Sequence, residues 1–232
     1  MNQESHCELG AKEHHHSCVA LVPLFNHLDE QQMDQIVELA HSVNYPRGET
    51  IYHSGDRSEG LYILHKGRIK VYRLSENGKE QLVRILEPGD FTGELSLFDA
   101  KPHDAYAETL EGVELCIIQR DEMQQLLQTH PAISLKMLTE FSSRLADTEQ
   151  RAARIAMESA ETRLALYLAD LSEEQQQLTV ELPMSRKDLA SHLGTTPETI
   201  SRKLSAFEEQ GWIHQASSKT LEIIDLDSLL LV

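Results

Sequence analysis

Cys7 and Cys18 sit among His6, His14, His15 and His16 near the start of the chain, and the third cysteine is Cys116. Thiolates and imidazoles hold zinc or an iron–sulfur cluster, and two thiols brought together can instead form a disulfide. The bland alternative is a flexible tail with Cys116 buried, since free cysteine packs as a small hydrophobe. A second set of reactive types lies far downstream. Arg202 can donate two bonds to guanine O6 and N7, Glu198 can accept from cytosine N4, and Ser201 is small enough to meet a thymine methyl or a base edge. Ser185, Arg186, Thr196 and Lys203 are better suited to phosphates, which position a protein on DNA without specifying sequence. Taken alone, Glu198 and Arg202, four residues apart, also suit a solvated helix pair.

Those downstream residues need a scaffold, and "MSRKDLASHLGTTPETISRKLSAFEEQGWI" from Met184 supplies one. Ser185 caps a helix that buries Leu189 and Leu193, and Gly194 provides its turn. Thr196 caps a second helix with Pro197 at its first position, and Ile200, Leu204 and Phe207 form the buried stripe. Two short helices joined by a glycine turn make a helix-turn-helix, whose second helix enters the major groove. "GWIHQASSKTLEIIDL" follows as a two-stranded wing. The formal net charge of −17 argues against nucleic acid until it is read locally. Between Met184 and Lys219, Arg186, Lys187, Arg202, Lys203 and Lys219 outweigh Asp188, Glu198, Glu208 and Glu209, which permits a DNA-binding module there.

Upstream, Asp29 caps a short helix with Met33, Ile36, Val37 and Ala40 on one face. From Pro46 to about Ile118, short alternating strands such as "LYILHKG" and "RIKVYRL" are separated by glycines, and "ENGKE" at 76–80 is a hairpin turn. This is an antiparallel barrel or sandwich. Pro131 then opens a long helix in which Leu138, Phe141, Leu145, Thr148, Ala152, Ile155 and Ser159 fall on a heptad seam, a candidate dimer interface or a face lying on the barrel. Glu161–Leu171 is a further helix, and "SEEQQQ" is a polar hinge. The expected fold class is α+β, divided into a Cys/His-rich sensory segment (1–20), a β-roll sensor domain (21–130), a dimerisation helix (131–158) and a winged helix-turn-helix (159–232).

Hydrophobic residues make up 40% of the 232-residue chain, enough for real cores. No segment reaches the ~20 apolar residues of a membrane span, and the start lacks the basic-then-apolar run of a signal peptide. A cytoplasmic protein without membrane partners is expected. Three cysteines are an odd number and do not form a secreted disulfide framework. Nucleophile elbow, P-loop and zincin motifs are missing, so an enzyme is not expected.

Barrel, long helix and C-terminal helix-turn-helix, in that order, resemble the CRP/FNR family of dimeric bacterial transcription regulators over about residues 20–230. "GELSLF" at 93–98, the long helix and "ETISRKL" at 198–204 carry the likeness, the last in the manner of the FNR branch. The resemblance implies a cyclic-nucleotide-binding-like β-roll and a homodimer. In it, Glu198, Ser201 and Arg202 would read an inverted repeat of TTGA-like half-sites in double-stranded DNA, with RNA polymerase as a partner if the protein activates. Cyclic-nucleotide members of the family hold phosphate with an Arg-Ser pair shortly after "GEL". Here His103 and Asp104 stand at those places; a carboxylate repels phosphate and no arginine replaces it. Cyclic AMP is therefore not expected as the effector, although Glu94 could still meet a ribose hydroxyl or simply stabilise a turn.

The FNR branch holds an oxygen-labile 4Fe–4S cluster with an N-terminal cysteine group and one barrel cysteine. The resemblance maps these onto Cys7, Cys18 and Cys116, the last in "GVELCIIQRDEM". A fourth ligand would have to come from His6, His14, His15, His16 or a carboxylate such as Glu8 or Glu13. FNR-like proteins of lactic-acid bacteria resemble the chain in a second way, with one N-terminal and one barrel cysteine able to pair, which implies Cys18–Cys116 or Cys7–Cys116. Zinc on Cys7, Cys18, Cys116 and histidines is a third reading. In all three, the event at the cysteines changes packing on the barrel and on the helix from Pro131, and so the DNA-reading geometry. The alternative is a regulator responsive to a small ligand, with inert cysteines and a pocket near Glu94 and Arg84.

Overall fold

A computed structural model describes residues 21–76, 78–99 and 101–232. The N-terminal cysteine and histidine candidates Cys7, Cys18, His6, His14, His15 and His16 lie outside the described residues. The chain forms two compact units: one from the described residues through Leu74 with Val83–Ser143, the other from Ser75–Leu82 with Arg144–Val232.

The first unit begins with α1 (Glu30–Leu39), where Asp29 accepts from the Gln32 N–H and Gln32 returns the bond to the Asp29 N–H. That capping box satisfies donors a helix start otherwise leaves open. Met33, Ile36 and Val37 are buried, while Ala40 already opens the next strand. The strands are β1 (Ala40–Tyr45), β2 (Thr50–Tyr52), β3 (Gly60–Lys66), β4 (Ile69–Leu74), β5 (Glu80–Leu86), β6 (Phe91–Thr92), β7 (Tyr106–Thr109) and β8 (Val113–Gln119), with the one-turn α2 (Leu95–Phe98) between β6 and β7. They make two four-stranded sheets, β1-β8-β3-β6 and β2-β7-β4-β5. Of the β4–β5 turn, Asn77 is not among the described residues, and Gly78 has φ +75°.

Strand alternation divides the core. On β3 and β8, Leu61, Ile63, Cys116 and Ile118 face one side and pack with α1, α3 (Arg120–Thr129) and the first turns of α4 (Pro131–Met157) through Met123, Leu126, Ile133 and Met137. Tyr62, Leu64, Leu115 and Ile117 face the other side and fill the space between the sheets with Ile69, Val71 and Ala107. The period of two makes this obligatory: a one-residue slip would exchange the two sets. Gly93, the glycine of "GEL", has φ +85°, and a Cβ there would lie 2.3 Å from the Gly60 carbonyl oxygen. Only glycine fits.

The second unit contains the end of α4, then α5 (Ala160–Gln175), β9 (Thr179–Glu181), α6 (Arg186–His192), α7 (Pro197–Glu209), β10 (Ile213–Gln215), β11 (Thr220–Ile223) and the short α8 (Leu226–Leu229). The polar hinge read in "SEEQQQ" is half wrong: the helix runs on to Gln175 and stops where Gln176 turns left-handed at φ +53°. Glu and Gln are good helix formers, so polarity alone does not end a helix. The wing has a third strand that the sequence reading did not include, because β9 pairs with β11 in the order β10-β11-β9.

Along α4 the seam residues Leu138 and Leu145 are each 59% exposed, and Thr148, Ala152 and Ile155 are exposed as well. Phe141 departs from that seam. It packs against the first unit's core and meets Phe98 edge to face, ring centroids 5.9 Å apart. Among the described residues no helix is long and apolar enough to cross a membrane.

Candidate functional site

The helix-turn-helix is built as its sequence dictates. Ser185 Oγ accepts the Asp188 N–H at 3.2 Å and starts α6. Gly194, at φ +63°, turns the chain, and the Thr195 N–H closes the turn on the Ala190 carbonyl at 2.8 Å. Thr196 then accepts from the Thr199 N–H and starts α7 with Pro197 in its first turn. Ile200, Leu204 and Phe207 are fully buried, which fixes which face of α7 remains outside.

That outer face carries Glu198, Arg202 and Ser205, all exposed, with Ser201 half-buried beside them. Glu198 is held below the usual carboxylate range by its own backbone N–H and then by the Thr196 hydroxyl, both at the helix start. It is therefore an ionised acceptor near the turn that leads the recognition helix. The pairing of Glu198 with Arg202 that a solvated helix would favour is not among the ion pairs of the described residues.

The four phosphate candidates are already engaged within the unit. Ser185 and Thr196 use their hydroxyl oxygens as caps, and Ser185 Oγ also donates to Asp188 Oδ2 at 2.5 Å. Lys203 Nζ sits 2.6 Å from Glu161 Oε2 on α5. Arg186 donates to Gln215 Oε1 at 2.8 Å and to the Ser218 carbonyl at 3.4 Å, so it ties α6 to the wing. Glu208 completes the tie by accepting both the backbone and side-chain N–H of Gln215, each at 2.8 Å.

Cys116 lies on β8, paired with Ser42 of β1 and Ile63 of β3, and is 0% exposed. Ser42 Oγ is 3.7 Å from its sulfur. Cys116 is disulfide-bonded. The described residues contain no group of three or more His, Cys, Asp or Glu side chains able to hold a metal ion.

A cavity of about 490 Å³ opens in the first unit, lined among others by Arg84, Glu94, His103 and Asp104. Arg84 Nη2 reaches the two Glu94 oxygens at 3.2 and 3.4 Å. Arg73, from β4, pairs with Asp104. Thirty-one residues separate the two in sequence, so nothing local announces the pair.

The cyclic nucleotide-binding domain family matches residues 42–130, and the Crp-like helix-turn-helix domain family matches residues 162–231. The chain is 38% identical over 214 residues to the probable transcriptional regulator flp of Lacticaseibacillus casei, covering 92% of this chain and 97% of that one. It belongs to the CRP/FNR family of transcription regulators. A second relative in the family, the CRP-like cAMP-activated global transcriptional regulator of Mycobacterium tuberculosis, is 28% identical over 91% of this chain and 96% of its own. The solved structure of FixK2 from Bradyrhizobium japonicum has the same fold, with a TM-score of 0.73 at 24% identity over 82% of this chain and 95% of its own. As a CRP/FNR regulator the chain is a DNA-binding protein and not an enzyme, with its antiparallel β-rich domain preceding the helix-turn-helix in sequence.

Two features were missed at the sequence level. Arg163, which reaches Leu193 30 residues on, and the Arg151–His192 contact, 41 residues apart, sit inside the DNA-binding unit. Arg163 stands in an ordinary helical stretch, "ETRLAL", and only its burial, 9% exposed, marks it out.

Proposed function

We propose that the protein is a homodimeric, sequence-specific regulator that binds inverted repeats of TTGA-like half-sites and whose DNA affinity responds to thiol oxidation at Cys116. Cys116 carries the redox half of this reading: its sulfur is disulfide-bonded, inside the core that also holds Ile133 and Met137 at the start of α4. Oxidation joins two thiols in one S–S bond, with two protons released and two electrons passed to the oxidant. The partner in this proposal is Cys7 or Cys18. A bond made there changes what packs beneath α4, the helix whose exposed seam supports a dimer.

A cluster or a zinc site fits less well. A 4Fe–4S cluster takes four ligands, the chain has three cysteines, and one of them already spends its sulfur on a disulfide. The DNA half rests on the outer face of α7, where Arg202 and Glu198 stand ready for base edges with Ser201 between them. RNA polymerase is a further partner wherever the bound dimer activates a promoter.

Fluorescence anisotropy with a labelled inverted-repeat duplex tests this, using protein held in reductant or treated with diamide. Expected is a change in affinity of at least about fivefold between the two states, abolished in Cys116→Ala. An unchanged response in that variant, or no response in the unaltered protein, overturns the redox half while leaving DNA binding measured in the same titration.

A further inference from the structure

The tip of the β4–β5 hairpin, Ser75–Leu82, belongs to the second unit, although β4 and the rest of β5 belong to the first. Its turn is tied by its own bonds: the Ser75 N–H donates to the Lys79 carbonyl at 3.0 Å, and the Lys79 N–H to Ser75 Oγ at 3.1 Å. β5 is the outermost strand of its sheet, and an edge strand leaves backbone donors and acceptors open along one side. Glu80 and Leu82, two residues apart, present theirs to the same side. Ser191 of α6 answers one of each. Its Oγ donates to the Glu80 carbonyl at 3.1 Å and accepts the Leu82 N–H at 2.6 Å.

Lys187 precedes Ser191 by one helical turn and shares its face of α6. Lys187 Nζ lies 2.8 Å from Glu80 Oε1, so the same hairpin residue is held through both its carbonyl and its carboxylate. The first helix of a helix-turn-helix crosses the DNA backbone, and a lysine there meets phosphate. In a chain of net charge −17, each such cation counts. Arg186 and Lys203 find their partners between Arg144 and Val232, on the wing and on α5. Lys187 finds its partner on the hairpin. Its side chain is 66% exposed and that of Glu80 25%, and an ion pair so open to water is weakly held. The carboxylate can be exchanged for another anion.

We propose that the β4–β5 hairpin is an autoinhibitory clasp on the helix-turn-helix: Ser191 seats the hairpin on α6, and Glu80 occupies Lys187 in place of a DNA phosphate. The clasp therefore lowers affinity for DNA of any sequence. It rests on DNA binding by the second unit and on neither the half-site nor the redox reading, so each can fail alone.

Anisotropy titrations of the full chain in reductant, from about 50 to about 200 mM salt, test it on the inverted-repeat duplex and on a duplex of unrelated sequence, since phosphates are common to both. Glu80→Gln is expected to bind both duplexes at least about threefold more tightly at the lowest salt, and to steepen the slope of log K against log salt by about 0.9 per protomer. Lys187→Gln is expected to flatten that slope more in the Glu80→Gln protein than in the unaltered one. Ser191→Ala, checked for folding by circular dichroism, is expected to move affinity in the same direction as Glu80→Gln. A Glu80→Gln protein that binds no more tightly, or whose slope is unaltered, overturns the proposal. So does a Lys187→Gln loss of equal size in both backgrounds, which would mean that Lys187 meets phosphate with the hairpin in place.

Discussion

Arg163 Nε donates to the carbonyl oxygen of Leu193 at 2.8 Å. The same guanidinium reaches the carbonyls of Ile155 and Glu158 through Nη1, at 3.2 and 2.5 Å. One side chain on α5 thus satisfies acceptors at the end of α4 and at the end of α6, where helices leave carbonyls open. The turn of the helix-turn-helix is held to the last turn of α4 at this point, and a Cβ on Gly194 would lie 3.3 Å from Ile155.

Arg163→Met keeps the bulk but removes every donor. It is expected to cost about 2–4 kcal/mol, because one buried carbonyl and two part-buried ones lose a charged partner. Urea unfolding followed by circular dichroism measures this. Arg163→Lys is expected to recover part of the loss at most, since a single ammonium cannot reproduce the planar fork.

Arg202→Ala is expected to weaken binding to the preferred duplex by about 1–3 kcal/mol and to flatten base preference at one position of each half-site. Titrations against duplexes substituted one base pair at a time would show it. A uniform loss across all duplexes would instead make Arg202 a phosphate contact.

Leu138 and Leu145 are exposed on α4. Changing both to Glu is expected to give a monomer by light scattering, with stability of the isolated chain altered by no more than about 1 kcal/mol. Affinity for the inverted repeat falls with the loss of the second reading head. A variant that stays dimeric would place the interface elsewhere.

His192 lies beside Arg151, Nδ1 to Nη1 3.4 Å, and edge-on to Tyr167. Burial first, and the guanidinium second, push its pKa from 6.5 down to about 4. Between these two values the unfolded chain carries a proton that the folded chain refuses, so stability falls as pH drops through that window. The contribution lost by pH 4 is up to about 3 kcal/mol. His192→Gln is expected to flatten the dependence of the urea midpoint on pH across this range.

The helix-turn-helix was legible almost residue by residue. Its signals are local: Ser185 and Thr196 cap, Gly194 turns, Pro197 opens a helix, and Ile200, Leu204 and Phe207 repeat at helical spacing. The end of α5 and the third strand of the wing were less legible. Gln175 and Thr179 carry no punctuation of their own, and β9 exists because β11 offers it an edge. Phe141 fits the heptad seam by count, yet its ring covers the first unit's core and meets Phe98.

Local periodicity and capping chemistry, then, were enough for the order of elements, the buried stripes and the outward face of the recognition helix, because each depends on residues within about two helical turns of one another. Ion pairs and buried polar contacts depend on which distant segments the fold brings together. Only the tertiary structure could set Arg73 against Asp104, close Arg163 on three carbonyls, and place Cys116 on the face of β8 that packs against α4.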